Sequence, residues 1–288
     1  MTALQSRQNF RAALGRPTSQ SPASVYDPIS ARAAEAAGFK LGMLAGSVAS
    51  MSTLAAPDLI VTTMTEVADQ VRRITRICDL GLLVDADHGY GNALNVYRTI
   101  EELEHAGAAC VSIEDTLLPQ SFGAERDKVI STAEMVGKLR AAVAARRDPE
   151  FAIAGRTSSL RVEGLSAAVE RARAYRTTGI DALFVVGLEN LDQVQALHEA
   201  AGLPIIAGAA PKSGGDRSAL ANAGVALLLQ GHQPIAVAAK ALFDVYTALY
   251  RGAPPAELRE KLADQPTMDD VTRAKHFGEM RAKYLSAT

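Results

Sequence analysis

"LLVDADHGYGN" (residues 82–92) runs three apolar residues into two aspartates, a histidine and two glycines. Leu82, Leu83 and Val84 suit a strand covered on both faces. In extended backbone, residues i and i+2 share a face, so Asp85 and Asp87 are expected to aim both carboxylates to one side. Two carboxylates in one small volume repel, which raises one pKa unless a cation sits between them. Hard oxygen donors of this kind suit Mg2+, with Mn2+ as the alternative. The same residues also fit an ordinary Asp-rich turn in which Gly89 and Gly91 supply φ > 0. Taken alone, the stretch leaves both readings open.

Seven further apolar runs frame it: 23–26, 41–45, 109–114, 151–155, 182–186, 203–207 and 225–229. The segments between them read as helices. "NVYRTIEELEHAG" and "SAAVERARAYRTTG" end in Gly, a common helix stop, and "TAEMVGKLRAAVAARRDP" ends at Pro149. From Tyr26 to Leu229 the repeat averages about 29 residues, near one βα unit. Eight such units predict an α/β fold, a (β/α)8 TIM-type barrel. An open doubly wound sheet is the competitor, but no GxGxxG follows the first strand. The chain is expected to form one barrel domain over residues 1–288, with the barrel at about 20–250 and a helical tail at about 251–288. Within that tail, 255–263 and 267–284 read as helical. Two connections, 46–64 and 115–130, read as long loops on the side where barrel enzymes place their sites.

Composition excludes several classes. The 288 residues carry 30 Lys+Arg against 32 Asp+Glu, so no dominant basic face for nucleic acid is implied. There is no Trp, and aromatics make up 5%, which argues against base-stacking platforms. Cys78 and Cys110 form no CxxC pattern and read as buried, inert thiols. The first residues lack an apolar h-region, and no run approaches the roughly 18 apolar residues of a membrane span. The expectation is a soluble cytoplasmic protein with no membrane or nucleic-acid partner.

The strand ends carry the chemistry. The second run ends in Gly46 and Ser47, the fourth in Glu114 and Asp115, the fifth in Arg156, and His232 follows the eighth. Any one has a bland reading: Arg156 as an ion-pair partner, His232 as a helix cap. Five strand ends with polar groups on one barrel face point instead to a site. Carboxylates with a metal bind an oxygen-rich anion, and Arg156 can grip a carboxylate through two nitrogens. Backbone N–H groups at Gly46 and Ser47 could hold a developing oxyanion. That apparatus suits a 2-oxo acid passing through an enolate.

These residues carry a resemblance. "GSVAS", "DADHGYGN", "SIEDTLLP" and "AGRT" are similar, in order and spacing over about residues 20–250, to the isocitrate lyase/phosphoenolpyruvate mutase superfamily. "TLAAPD" (53–58), residues 86–96, 114–119 and the late Gly231-His232 pair resemble its bacterial oxaloacetate decarboxylase group most. The resemblance implies a Mg2+-dependent carboxy-lyase acting on a small 2-oxo dicarboxylate. It implies Asp85 as a direct metal ligand, Asp87 and Glu114 as ligands through water, and Asp58 nearby. Ser47, Arg156 and His232 become the substrate-binding and catalytic residues. It further implies a last barrel helix (about 233–250) swapped onto a neighbouring subunit, within a homotetramer.

Departures from the superfamily narrow the reaction. Its C–C lyases carry a catalytic Cys after the fourth strand, where this chain reads "PQSFGAER". Cys110 precedes that loop, so the proton-transfer thiol is missing. Phosphonate-processing members carry "KTNS"-like residues there, against Gln120, Ser121, Phe122 and Gly123 here. Decarboxylation of oxaloacetate to pyruvate and CO2 needs neither group. A C–P enzyme acting on phosphonopyruvate or carboxyphosphonoenolpyruvate, or a C–C lyase using another proton donor, is the alternative. A non-catalytic binding barrel is the third reading.

Overall fold

The computed structural model describes residues 3–213 and 216–286, so Gly214 and Gly215 lie outside the described residues. Eight parallel strands follow one another round the sheet in chain order. They are β1 (Ala23–Ser24), β2 (Leu41–Leu44), β3 (Gly81–Asp85), β4 (Cys110–Glu114), β5 (Ala152–Thr157), β6 (Ala182–Val185), β7 (Ile205–Ala207) and β8 (Val225–Leu228). Ahead of β1, Gln20 bridges to Leu227, its N–H donating to the Ala226 carbonyl at 2.9 Å. That bridge brings the first and last edges together, giving the (β/α)8 TIM-type fold.

Helices α1 (Ala3–Leu14) and α2 (Pro28–Ala36) flank β1; α3 (Gly46–Leu54) and α4 (Met64–Thr75) follow β2. Next come α5 (Ala93–His105), α6 (Thr132–Ala145), α7 (Ser159–Val162), α8 (Leu165–Arg176), α9 (Leu191–Ala201) and α10 (Arg217–Asn222). The last barrel helix is α11 (Gln233–Tyr250), followed by a 3-10 turn at Pro255–Lys261, α12 (Gln265–Thr272) and α13 (Ala274–Tyr284). Helix starts are locally encoded: Asp27, Thr63 and Asn92 each form a reciprocal capping box.

Strand alternation sorts the core into two bodies. Leu82, Val84, Val111, Ile113 and Ile153 point outward to the helices. Met43, Leu83, Cys110, Ala152, Ala154 and Phe184 fill the barrel interior. Helix α1 plugs the end where the strands start: Phe10 is fully buried, and a Cβ on Gly81 would lie 3.3 Å from its Cβ. The opposite end, where the strands finish, is left for polar groups.

Several expectations need correction. Half of the supposed loop 46–64 is α3, because "SVASMSTL" is free of helix breakers. Strand β5 runs one residue past its expected end at Arg156, to Thr157. Asp87 does not share the strand's alternation: its φ is +47°, two residues beyond the end of β3 at Asp85. Asp tolerates this left-handed region better than most side chains. Among the described residues no helix is long and apolar enough to cross a membrane.

Candidate active site

Inward-facing positions at the strand ends build the site. Glu114 on β4 is in register with Arg156 on β5, and Arg156 with Phe184 on β6. The three side chains therefore stand at one level on adjacent strands. Two residues below the exit of β3, Leu83 points inward; by alternation Asp85 does too. A cavity of about 480 Å³ opens there, lined by Ser47, Asp58, Asp85, Asp87, Glu114, Arg156 and His232. Of the groups expected at the strand ends, these seven line one cavity, whereas Asp115 does not.

The charges are tightly arranged. Arg156 Nη1 donates to Asp85 Oδ2 at 2.5 Å, and Nη2 lies 3.4 Å from Glu114 Oε2. Its guanidinium carbon sits 5.3 Å from the centre of the Phe184 ring, which supports the cation from below. Ser112 Oγ donates to Asp85 Oδ1 at 3.1 Å, and Thr116 Oγ1 to Glu114 Oε2 at 2.8 Å. Asp87 is pushed up to about 8, first by burial and then by the charges of Asp85 and Glu114. Burial also raises Glu114, against the pull of Arg156, and raises Asp58, where Asp85 adds to the effect.

Four carboxylates thus face one guanidinium. The donor set fits a hard divalent cation: oxygen ligands with excess negative charge. Among the described residues, no three His, Cys, Asp or Glu side chains converge closely enough to form a ready ligand set. Mg2+ commonly takes only one or two protein carboxylates and keeps several waters, so the arrangement remains compatible with it.

His232 stands at the N-cap position of α11 but makes no capping hydrogen bond with its side chain, so the capping reading fails. Its Nδ1 instead meets Ser24 Oγ at 3.0 Å. Burial lowers its pKa, opposed by Asp85 and Asp58, so the ring is neutral near pH 7. Ser47 is the second residue of α3, whose first N–H groups have no intrahelical carbonyl to meet. Asp87 is seated against the same helix start: a Cβ on Gly46 would lie 2.3 Å from Asp87 Oδ1.

Sequence reading missed Thr116, Ser158 and Phe184, which also line the cavity. Thr116 and Ser158 stand two positions beyond Glu114 and Arg156, so a period-two reading of the strand exits would have found them. Asp115 does the reverse. It was grouped with Glu114, yet it faces away from the cavity and is fully buried among β5 and α8. Cys110 is likewise buried in the interior, with its thiol raised by burial, and neither cysteine lines the site.

A closed parallel barrel with carboxylates, an arginine and a histidine at the strand exits defines an enzyme of the (β/α)8 class. Residues 10–250 match the profile of the phosphoenolpyruvate phosphomutase family, and the chain belongs to that family. It is 47% identical over 285 residues to the oxaloacetate decarboxylase of Rhodopseudomonas palustris strain BisB18, covering 99% of both chains. Its fold is similar to the phosphoenolpyruvate phosphomutase of Streptomyces platensis subsp. rosaceus, with TM-score 0.88 and 26% identity, covering 97% of this chain and 99% of that one. It is also similar to a phosphonopyruvate hydrolase solved with oxalate and Mg2+, with TM-score 0.84 and 26% identity, covering 99% of this chain and 100% of that one.

Proposed function

We propose that the protein is a carboxy-lyase that decarboxylates oxaloacetate to pyruvate and CO2. The observation that carries this reading is the end-to-end match to a chain named oxaloacetate decarboxylase. The site geometry supports it. The cavity presents Arg156, Arg161 and the neutral His232 to a small dicarboxylate, and has no thiol for C–C lyase chemistry.

In this reading Asp85 is the direct ligand of Mg2+, with Asp87 and Glu114 acting through water and Asp58 close by. When bound, the ion supplies Lewis-acid stabilisation of the charge that develops on the 2-oxo oxygen. Arg156, propped on Phe184, binds a substrate carboxylate through its guanidinium edge. The Ser47 N–H, at the start of α3, stabilises the same developing negative charge. C3–C4 cleavage sends the C4 carboxylate out as CO2 and leaves its electron pair on the pyruvate enolate. His232, with Nδ1 engaged by Ser24, presents Nε2 to the cavity, where it orients a carboxylate or directs a proton to C3.

Pyruvate release from oxaloacetate in Mg2+ buffer, coupled to lactate dehydrogenase, tests the reading against an Asp85→Ala control. Equal rates in both proteins would mean spontaneous decay and sink it.

The oligomer enters on one further observation. None of the 18 residues of α11 is buried, although Val237, Leu242, Phe243 and Tyr246 lie on it. A helix with an uncovered apolar face needs a partner surface. In our reading α11 packs on a second copy of the chain, within a homotetramer.

A further inference from the structure

Behind the barrel mouth, between β5 and α8, lies a polar knot centred on Asp115. Its Oδ2 accepts from Thr157 Oγ1 at 2.7 Å and from Tyr175 OH at 2.8 Å, while Oδ1 accepts from the Ser158 N–H at 2.9 Å. Arg171, also buried, brings Nη1 to 3.6 Å from Asp115 and donates through Nε to Glu163 Oε2 at 3.0 Å. Ser159 Oγ donates to that same glutamate oxygen at 2.7 Å. Through its main chain, Asp115 donates to the Arg156 carbonyl at 3.2 Å and accepts from the Ile130 N–H at 2.8 Å.

One residue therefore ties together the exit of β4, the exit of β5 and the far end of the 115–130 loop. The surrounding layer is apolar: Leu139 and Ile180 stand within contact distance of the Cβ that Gly155 lacks. Apolar packing would hold a strand to a helix there without the desolvation cost of a buried carboxylate. What apolar packing lacks is direction. Asp115 fixes the Thr157 hydroxyl and the Ser158 N–H at defined points, one and two residues from Arg156. Ser158 Oγ in turn meets Thr116 Oγ1 at 3.1 Å, and that hydroxyl holds Glu114.

We propose that Asp115, braced by Tyr175 and Arg171, is a positioning residue: it fixes the 156–158 backbone so that Arg156 and Ser158 meet the substrate in a single geometry. Asp115 itself touches no substrate. The proposal takes its substrate from the decarboxylase reading, but its geometry stands apart from that reading.

The test uses the full chain with Mg2+ and compares Asp115→Asn, Tyr175→Phe and Arg156→Lys, singly and combined. Asp115→Asn keeps its circular dichroism and cooperative melting but loses roughly 100-fold in kcat/KM, as expected for a displaced binding group. Tyr175→Phe, which removes one of the three bonds to the carboxylate, loses roughly 10-fold. In the Arg156→Lys background the Asp115→Asn cost shrinks to less than about 3-fold, because the two act through one contact. A merely structural role leaves the cost equal in both backgrounds, and that result overturns the proposal. If Asp115→Asn does not fold, the same cycle with Tyr175→Phe decides.

Should the wild-type chain release no pyruvate, the decarboxylase reading falls by itself. Calorimetric titration with oxalate and Mg2+ then scores the positioning role. Binding to the folded Asp115→Asn variant at least about 10-fold weaker supports it, and an unchanged Kd overturns it.

Discussion

Gly46 and Asp87 are locked face to face: a Cβ on Gly46 would lie 2.3 Å from Asp87 Oδ1 and 3.0 Å from its Cγ. No rotamer of a larger side chain at 46 avoids that atom, because the clash arises at the Cβ itself. Gly46→Ala must therefore push the Asp87 carboxylate out of its seat. The expected result is a loss of about 1–3 kcal/mol in stability from overpacking. Mg2+ affinity should fall roughly 10- to 100-fold. Calorimetric melting and Mg2+ titration of the variant check both. A variant with wild-type Mg2+ affinity would remove Asp87 from the metal's surroundings.

The pH dependence of stability follows from the same carboxylate. Asp87 is raised to about 8 in the folded chain, well above an unfolded aspartate. Between those values the native state holds a proton that the unfolded state has lost, so stability falls as pH rises. His232 and His88, both lowered by burial, act oppositely only below about pH 6.5, where an unfolded histidine takes up its proton. Glu114 and Asp58, also raised, act in the same direction as Asp87, so the site carboxylates together set the slope from 6.5 to 8. With EDTA present the melting temperature should decline across it, and saturating Mg2+ should flatten the decline. A flat EDTA profile would contradict the buried, mutually repelling arrangement.

His232→Gln should separate binding from turnover. Glutamine is uncharged, like the buried imidazole, and can still bond Ser24, but it transfers no proton. If His232 directs the proton to C3, kcat falls roughly 100-fold or more while KM moves little. A change confined to KM would leave the histidine a carboxylate-orienting role alone.

The exposed face of α11 predicts an assembly defect that can be built with one charge. Phe243 is 71% exposed in the single chain. Phe243→Arg would bury a guanidinium in the proposed contact between copies. Size-exclusion chromatography with light scattering should show a smaller species, with helicity retained. An unchanged oligomer would place the contact elsewhere.

Much of this molecule was legible in its linear order. The spacing of apolar runs gave eight strands, because a parallel barrel strand is covered on both faces and shows as a short apolar block. Residues at strand exits carried the charges, so Ser47, Asp85, Glu114, Arg156 and His232 could be gathered on one face before any coordinates. The loop after β4 narrowed the chemistry through the residues it lacks. Tertiary structure alone decided the rest. Asp87 joins Asp85 through a left-handed turn, which an alternation rule cannot foresee because it assumes the strand continues. Arg156 is wedged between Asp85 and Glu114 by the registers of separate strands, a relation set by barrel closure rather than by distance along the chain. Asp115 and Glu114 are chain neighbours with opposite destinations, one in the sheet–helix layer and one in the cavity. A sequence shows which charges end a strand, but side-chain direction depends on the last residue that is still extended, and only the packed barrel fixes that.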